Sequence, residues 1–93
     1  MLLRALGEDG ALTGTGTLTC ASRIMGGVLI TADGTNNATV IVRRENSSGK
    51  QVFDLVTKSP VFITGPLSLD GSQALYYDVT GTGAAAQFFE WVE

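Results

Sequence analysis

Histidine is absent from this chain, cysteine occurs once, proline twice, and charged residues fill only 16% of its 93 positions. Each shortage removes a class of chemistry. General acid–base work normally recruits histidine or a carboxylate with a tuned pKa, and here only carboxylates remain. The lone Cys20 has no imidazole partner to activate it and no second thiol for an internal disulfide. It therefore reads as a small buried apolar group and implies no oxidising compartment. Six Lys and Arg against nine Asp and Glu give a formal net charge of −3. The one basic cluster, Arg43, Arg44 and Lys50, is too small for a phosphate-tracking stripe, so no nucleic-acid partner is expected. No apolar run approaches the roughly 18–20 residues that span a bilayer, and no membrane partner is expected. The opening MLLRALGEDG is broken by Arg4 and ends in Gly7-Glu8-Asp9, which does not read as a signal peptide. The glycosylation-type triplets Asn37-Ala38-Thr39 and Asn46-Ser47-Ser48 accordingly carry no weight. Helical periodicity is also missing: no stretch of 11 or more residues shows a 3.6-residue apolar repeat.

The scarcity of charge has a second consequence. Apolar residues are 44% of the chain and mean hydropathy is +0.23, whereas a soluble domain carries roughly 25% charged residues. A chain of this length makes one domain and buries only about 60–65% of the surface its unfolded form exposes. Too few charges are left to cover a small monomer. Contact with other subunits, or docking on a larger assembly, would resolve the mismatch, and a homo-oligomer is expected.

What is present is strand patterning. Residues 26–45 give the clearest signal. Val28-Leu29-Ile30 and Val40-Ile41-Val42 flank Asp33-Gly34-Thr35-Asn36-Asn37, which reads as two apolar strands joined by a polar turn. Residues 11–21 alternate, with Leu12, Gly14, Gly16, Leu18 and Cys20 on one face and Thr13, Thr15, Thr17 and Thr19 on the other. The glycines there mark a bulge or the close approach of another backbone; no Gly-Lys-Ser/Thr and no helix follow, so they are no phosphate loop. A strand over 23–32 starts at Met25-Gly26-Gly27, where a bulge is expected. Further strands are expected at 39–45, at 50–58 with Phe53 and Leu55 inward, and at 61–64, ended by Gly65-Pro66. Residues 73–80 follow with Leu75, Tyr77 and Val79 on one face, and then residues 84–92. The first ten residues are an N-terminal arm or an edge strand, with 7–10 a loop. Residues 11–93 form the sandwich domain. The expected fold is all-β: a single small antiparallel β-sandwich, jelly-roll- or Ig-like, of about seven strands.

Candidate chemistry is thin. Asp33, Asp54, Asp70 and Asp78 lie at turns or beside neutral strand residues, and Asp33 and Asp70 each precede glycine in an ordinary turn role. A glycosidase pair would need two acids facing one cleft about 5–10 Å apart. The 33–37 loop has oxygen donors for calcium but lacks a closing acid and flanking helices. No catalytic, cofactor-binding or metal-ligating residue is assigned, and no enzyme is expected. Tyr76, Tyr77, Phe88, Phe89 and Trp91 could line a sugar-binding face, or equally a core or an interface. The final strand carries large apolar groups on both faces: Phe88, Glu90 and Val92 oppose Phe89 and Trp91. A neighbouring subunit is the expected cover for the second face.

Several pieces together resemble a family of small β-sandwich virion proteins of tailed bacteriophages. They are Val28-Leu29-Ile30-Thr31-Ala32-Asp33-Gly34-Thr35-Asn36-Asn37-Ala38-Thr39-Val40, then Ser48-Gly49-Lys50, then Tyr77-Asp78-Val79-Thr80-Gly81-Thr82-Gly83-Ala84 before an aromatic last strand. The likeness covers roughly residues 24–92 and is one of turns and strands. It implies a capsid decoration (cement) protein, or a tail- or head-fibre module that binds cell-surface glycan. It further implies a trimer on the capsid surface of a virion assembled in the bacterial cytoplasm, with the major capsid protein or other virion proteins as partners. The residues expected to meet neighbouring subunits are Leu2, Leu3, Leu6, Phe88, Phe89 and Trp91.

Overall fold

A computed structural model describes residues 2–6 and 11–92; the expected 7–10 loop lies outside the described residues. The described residues are all β, in eight strands: β1 (Leu2–Leu6), β2 (Gly14–Thr19), β3 (Ile24–Thr31), β4 (Ala38–Arg44), β5 (Gln51–Thr57), β6 (Val61–Ser68), β7 (Ala74–Thr80) and β8 (Ala85–Val92). They form two four-stranded sheets, ordered β1-β8-β3-β6 and β2-β7-β4-β5. All pairings are antiparallel. First pairs with last, second with second-last, and so inward. This is the winding of a jelly roll, two Greek keys folded into a sandwich, and it decides between the two sandwich types expected.

Period-2 alternation sets the core. From the first sheet come Leu6, Val28, Ile30, Ala86 and Phe88; from the second come Val40, Val42, Leu75, Tyr77 and Val79, all buried. The sheets meet through the Tyr77 and Phe88 rings, whose centroids lie 5.6 Å apart. Gly16 stands opposite Tyr77 in the β2–β7 ladder. A Cβ at position 16 would lie 2.5 Å from the Tyr77 hydroxyl, so the close approach that this glycine permits is to a side chain, not a backbone. Phe53 and Leu55 pack half-buried against the core, as their alternation implies. The bulge expected near Met25-Gly26-Gly27 is present as a register shift between Met25 and Gly27.

Two expectations gain detail and two need correction. The two apolar runs are strands joined by the polar loop, but they do not pair with each other: β3 and β4 lie in opposite sheets. Val28, Ile30, Val40 and Val42 are all fully buried, so these two runs face each other across the core, and the loop between them arches from sheet to sheet. The strand at 61–64 does not stop at Gly65-Pro66 but runs to Ser68 as β6. This is an edge strand, where proline is tolerated, and Pro66 falls at the register shift, where no cross-strand partner is required. Of the two readings of the first residues, arm or edge strand, the edge strand forms: β1 lies beside β8 and brings the count to eight among the described residues. Finally, Leu6 and Phe88, expected at a subunit contact, are 4% and 0% exposed. Their alternation points them into the protomer's own interior, which leaves nothing for a neighbour to touch.

Candidate functional site

The carboxylates are dispersed by the fold. Asp33 lies in the β3–β4 loop and Asp70 in the β6–β7 turn, at opposite ends of β4: Asn37 precedes its start, and Arg44 at its other end pairs with Asp70 at 2.9 Å. Asp33 is occupied by its own loop. Its Oδ1 accepts the backbone N–H groups of Thr35 and Asn36, each at 2.8 Å, and its Oδ2 accepts the Asn36 side-chain amide, also at 2.8 Å. The Asn36 and Thr35 N–H groups hold its carboxyl below the usual range. Turn chemistry thus accounts for the oxygen donors. Among the described residues no group of three or more His, Cys, Asp or Glu converges as a metal set.

Asp54 and Asp78 both stand opposite Ile41 on the outer face of the second sheet. Two strand spacings separate their Cα atoms, about 9.6 Å. Both sit on the outer sheet face; Asp54 is exposed, whereas Asp78 is half-buried and its Oδ1 is enclosed without a hydrogen-bond partner. A shallow surface depression of about 350 Å³ is lined by Arg44, Glu45, Asp70, Gly71 and Ser72 at the β6–β7 end.

Glu90 is the polar residue that sequence reasoning passed over. It follows Phe88 on the inward face of β8 and is 4% exposed. Arg4 on β1 donates from Nε to Glu90 Oε2 at 2.9 Å, with its Nη2 2.8 Å from the same oxygen. The Ser22 backbone N–H donates to Oε1 at 3.1 Å. Burial pushes this carboxyl upward, but the Ser22 N–H and Arg4 outweigh it and the net shift is downward. The site is a tie between the first strand, the β2–β3 turn and the last strand. Its parity with Phe88 was the available signal. Nearby Cys20 is fully buried, and its desolvation pushes the thiol's pKa up, the inert condition expected of a core cysteine.

The aromatic residues considered for a sugar-binding surface are split three ways. Tyr77 and Phe88 are core residues, Tyr76 is on the outer face of the second sheet, and Phe89 and Trp91 are half-buried on the outer face of the first. On that first face the structure does assemble something. Leu3 stands opposite Trp91, Phe89 opposite Gly27, and Leu29 opposite Phe62. Leu3, Leu29 and Phe62 are each 42% exposed. The Phe62 and Phe89 rings come from strands on either side of β3, yet meet edge to face, with centroids 5.8 Å apart. They can do so because Gly27 lies between them: a Cβ there would come within 3.1 Å of the Phe62 ring. Of the six residues expected at subunit contacts, Leu2, Leu3, Phe89 and Trp91 thus belong to the first and last strands at the surface, while Leu6 and Phe88 are core.

The chain matches no protein-family model, and no curated protein and no solved structure matches it.

Proposed function

We propose that this chain is a virion structural protein of a tailed bacteriophage, a capsid decoration (cement) protein that binds and stabilises the head shell as a homo-oligomer. One observation carries the reading. The outer face of the β1-β8-β3-β6 sheet exposes Leu3, Leu29 and Phe62 beside Phe89 and Trp91, in a chain with little charge to solvate it. A contiguous exposed apolar face on a small protein marks a surface that another molecule covers. The jelly roll is a fold used by viral capsid and lectin domains, and the turn-and-strand resemblance across residues 24–92 points the same way. The mechanism is burial. Apolar area removed from water at the shell contributes roughly 25 cal/mol per Å², less the cost of ordering and docking, and many copies acting together resist internal pressure. The partners are further copies and the major capsid protein or other virion proteins, at the capsid surface of particles assembled in the host cytoplasm.

Imaging intact particles with the purified, labelled protein tests this. Many copies spread over the head shell are expected; absence from the shell sinks the reading. The second reading is a tail- or head-fibre module that binds host glycan. The shallow depression at Arg44, Glu45 and Asp70 favours it, and it predicts a few copies at a fibre tip and binding of the isolated protein to host cells.

A further inference from the structure

We propose that the outer face of the β1-β8-β3-β6 sheet is covered by the same face of a second copy of this chain, related by a two-fold axis. The proposal rests on the reading above only in taking the chain to work as an oligomer. It specifies which surface is shared and what covers it.

Among the described residues, no Lys, Arg, Asp or Glu points outward from this sheet: the outward positions hold Leu3, Leu29, Phe62, Phe89 and Trp91 with alanine, glycine, threonine, serine, glutamine and Ile24 between them. The outer face of the other sheet is different. It carries Arg43, Asp54 and Asp78 among the exposed threonines of β2, with Ile41, Tyr76 and the 53%-exposed Val56 between them. Both faces show apolar groups, but only the second has charges interspersed with them. Interface centres are depleted of charge and enriched in aromatic residues, which fits the first face alone.

The same comparison selects the occupant. An uncharged apolar face cannot cover a neighbour's charged surface without stripping water from unpaired charges, which is costly. Packing it on the second sheet of another copy would bury Arg43, Asp54 and Asp78. Packing it on the loop ends would bury Arg44, Glu45 and Asp70, or Asp33 and Lys58. The β1 edge carries Arg4, whose side chain is 58% exposed. The β6 edge carries no charge but presents unpaired backbone N–H and C=O groups, which an apolar face cannot satisfy. Only the face itself matches in chemistry. A self-matching patch gives an isologous contact, and isologous contacts close as dimers.

Four strands about 4.8 Å apart, of up to eight residues at about 3.3 Å each, make a face of at most roughly 19 by 26 Å. That is about 500 Å² per partner and about 1,000 Å² for the pair, at the lower bound of a specific interface. Two such faces would stack as sheets do within a sandwich, about 10 Å apart. The surface chemistry thus selects a two-fold pair over the trimer that the resemblance implies.

The test is the mass of the intact chain in solution, by sedimentation equilibrium across the micromolar range. The wild type is expected at twice the 9.7 kDa chain mass. Leu29→Lys and Phe62→Lys each place a charge on the face without touching the core, and each is expected to weaken the dimer at least tenfold while circular dichroism shows the native fold. Leu29→Lys serves if Phe62→Lys fails to fold. Thr17→Lys, on the opposite face, is expected to leave the dimer intact. A wild type that stays monomeric, a trimer, or folded Leu29→Lys protein that remains fully dimeric would each overturn the proposal. Both readings draw on this one face, and capsid labelling separates them: a dimer that leaves shells unlabelled overturns the virion reading alone, and a monomer that labels shells overturns the two-fold pair alone.

Discussion

Removing the Arg4 side chain should destabilise the protein at neutral pH and do so much less in acid. Glu90 is 4% exposed and depends on two donors, Arg4 and the Ser22 N–H. Arg4→Ala leaves a buried carboxylate with Ser22 alone. Breaking a fully buried ion pair costs roughly 3–5 kcal/mol. Here the Arg4 side chain is 58% exposed, so water can replace part of it, and about 1–2 kcal/mol at pH 7 is the reasonable expectation. The sign with pH follows from the lowered pKa. A carboxyl held below its ordinary 4.5 in the folded state contributes stability that is fully present above that value. The contribution is lost as the pH falls through the folded-state pKa. Without Arg4, burial meets less opposition and the folded-state pKa rises, so less of this contribution exists to be lost. The gap between wild type and variant should therefore close as the pH falls from the ordinary 4.5 through the lowered folded-state value. Urea denaturation at pH 7 and pH 3.5, followed by the fluorescence of the single Trp91 beside Glu90, measures both gaps. Glu90→Gln in the Arg4→Ala background should recover part of the loss at pH 7, since the neutral amide needs no counter-ion and can still accept from Ser22. An Arg4→Ala cost that is the same at both pH values, or no coupling with Glu90→Gln, would refute the reasoning.

Four further substitutions probe the core and its rim. Gly16→Ala should cost about 1–3 kcal/mol by overpacking against the Tyr77 ring, and Tyr77→Phe in that background should relieve part of it by removing the nearest atom; thermal or urea unfolding reads this, and a cost below about 0.5 kcal/mol would mean that Tyr77 moves freely. Phe88→Ala, a fully buried ring, should lose about 3–5 kcal/mol, whereas Phe62→Ala, 42% exposed, should lose markedly less under conditions where the chain is monomeric; equal losses in urea titrations of both would contradict the assignment of one ring to the interior and the other to the surface.

The all-β class was legible from residue order because alternation is a local property. Leu75, Tyr77 and Val79 on one face, the threonine row of residues 13–19 on the other side of their strand, and the inward Phe53 and Leu55 all follow from the pleat of a single strand, whatever it pairs with. The chemical shortages were equally local: a chain without histidine cannot place one anywhere.

What the chain order alone did not decide was partnership between strands. The apolar runs at 28–30 and 40–42 carry the same local signal whether they pair as a hairpin or face each other from two sheets. Only the winding of β1 with β8 and β3 with β6 separates the cases, and those pairings join residues distant in the chain. The same non-local pairing put Arg4 beside Glu90 and turned an apparent strand-end charge into a buried tie. It also allotted Phe88 to the interior and brought Phe62 and Phe89 together over Gly27. A strand's alternation tells which residues share a side; which side faces the other sheet, and which is left for a neighbour, is decided only when the sheets close on each other.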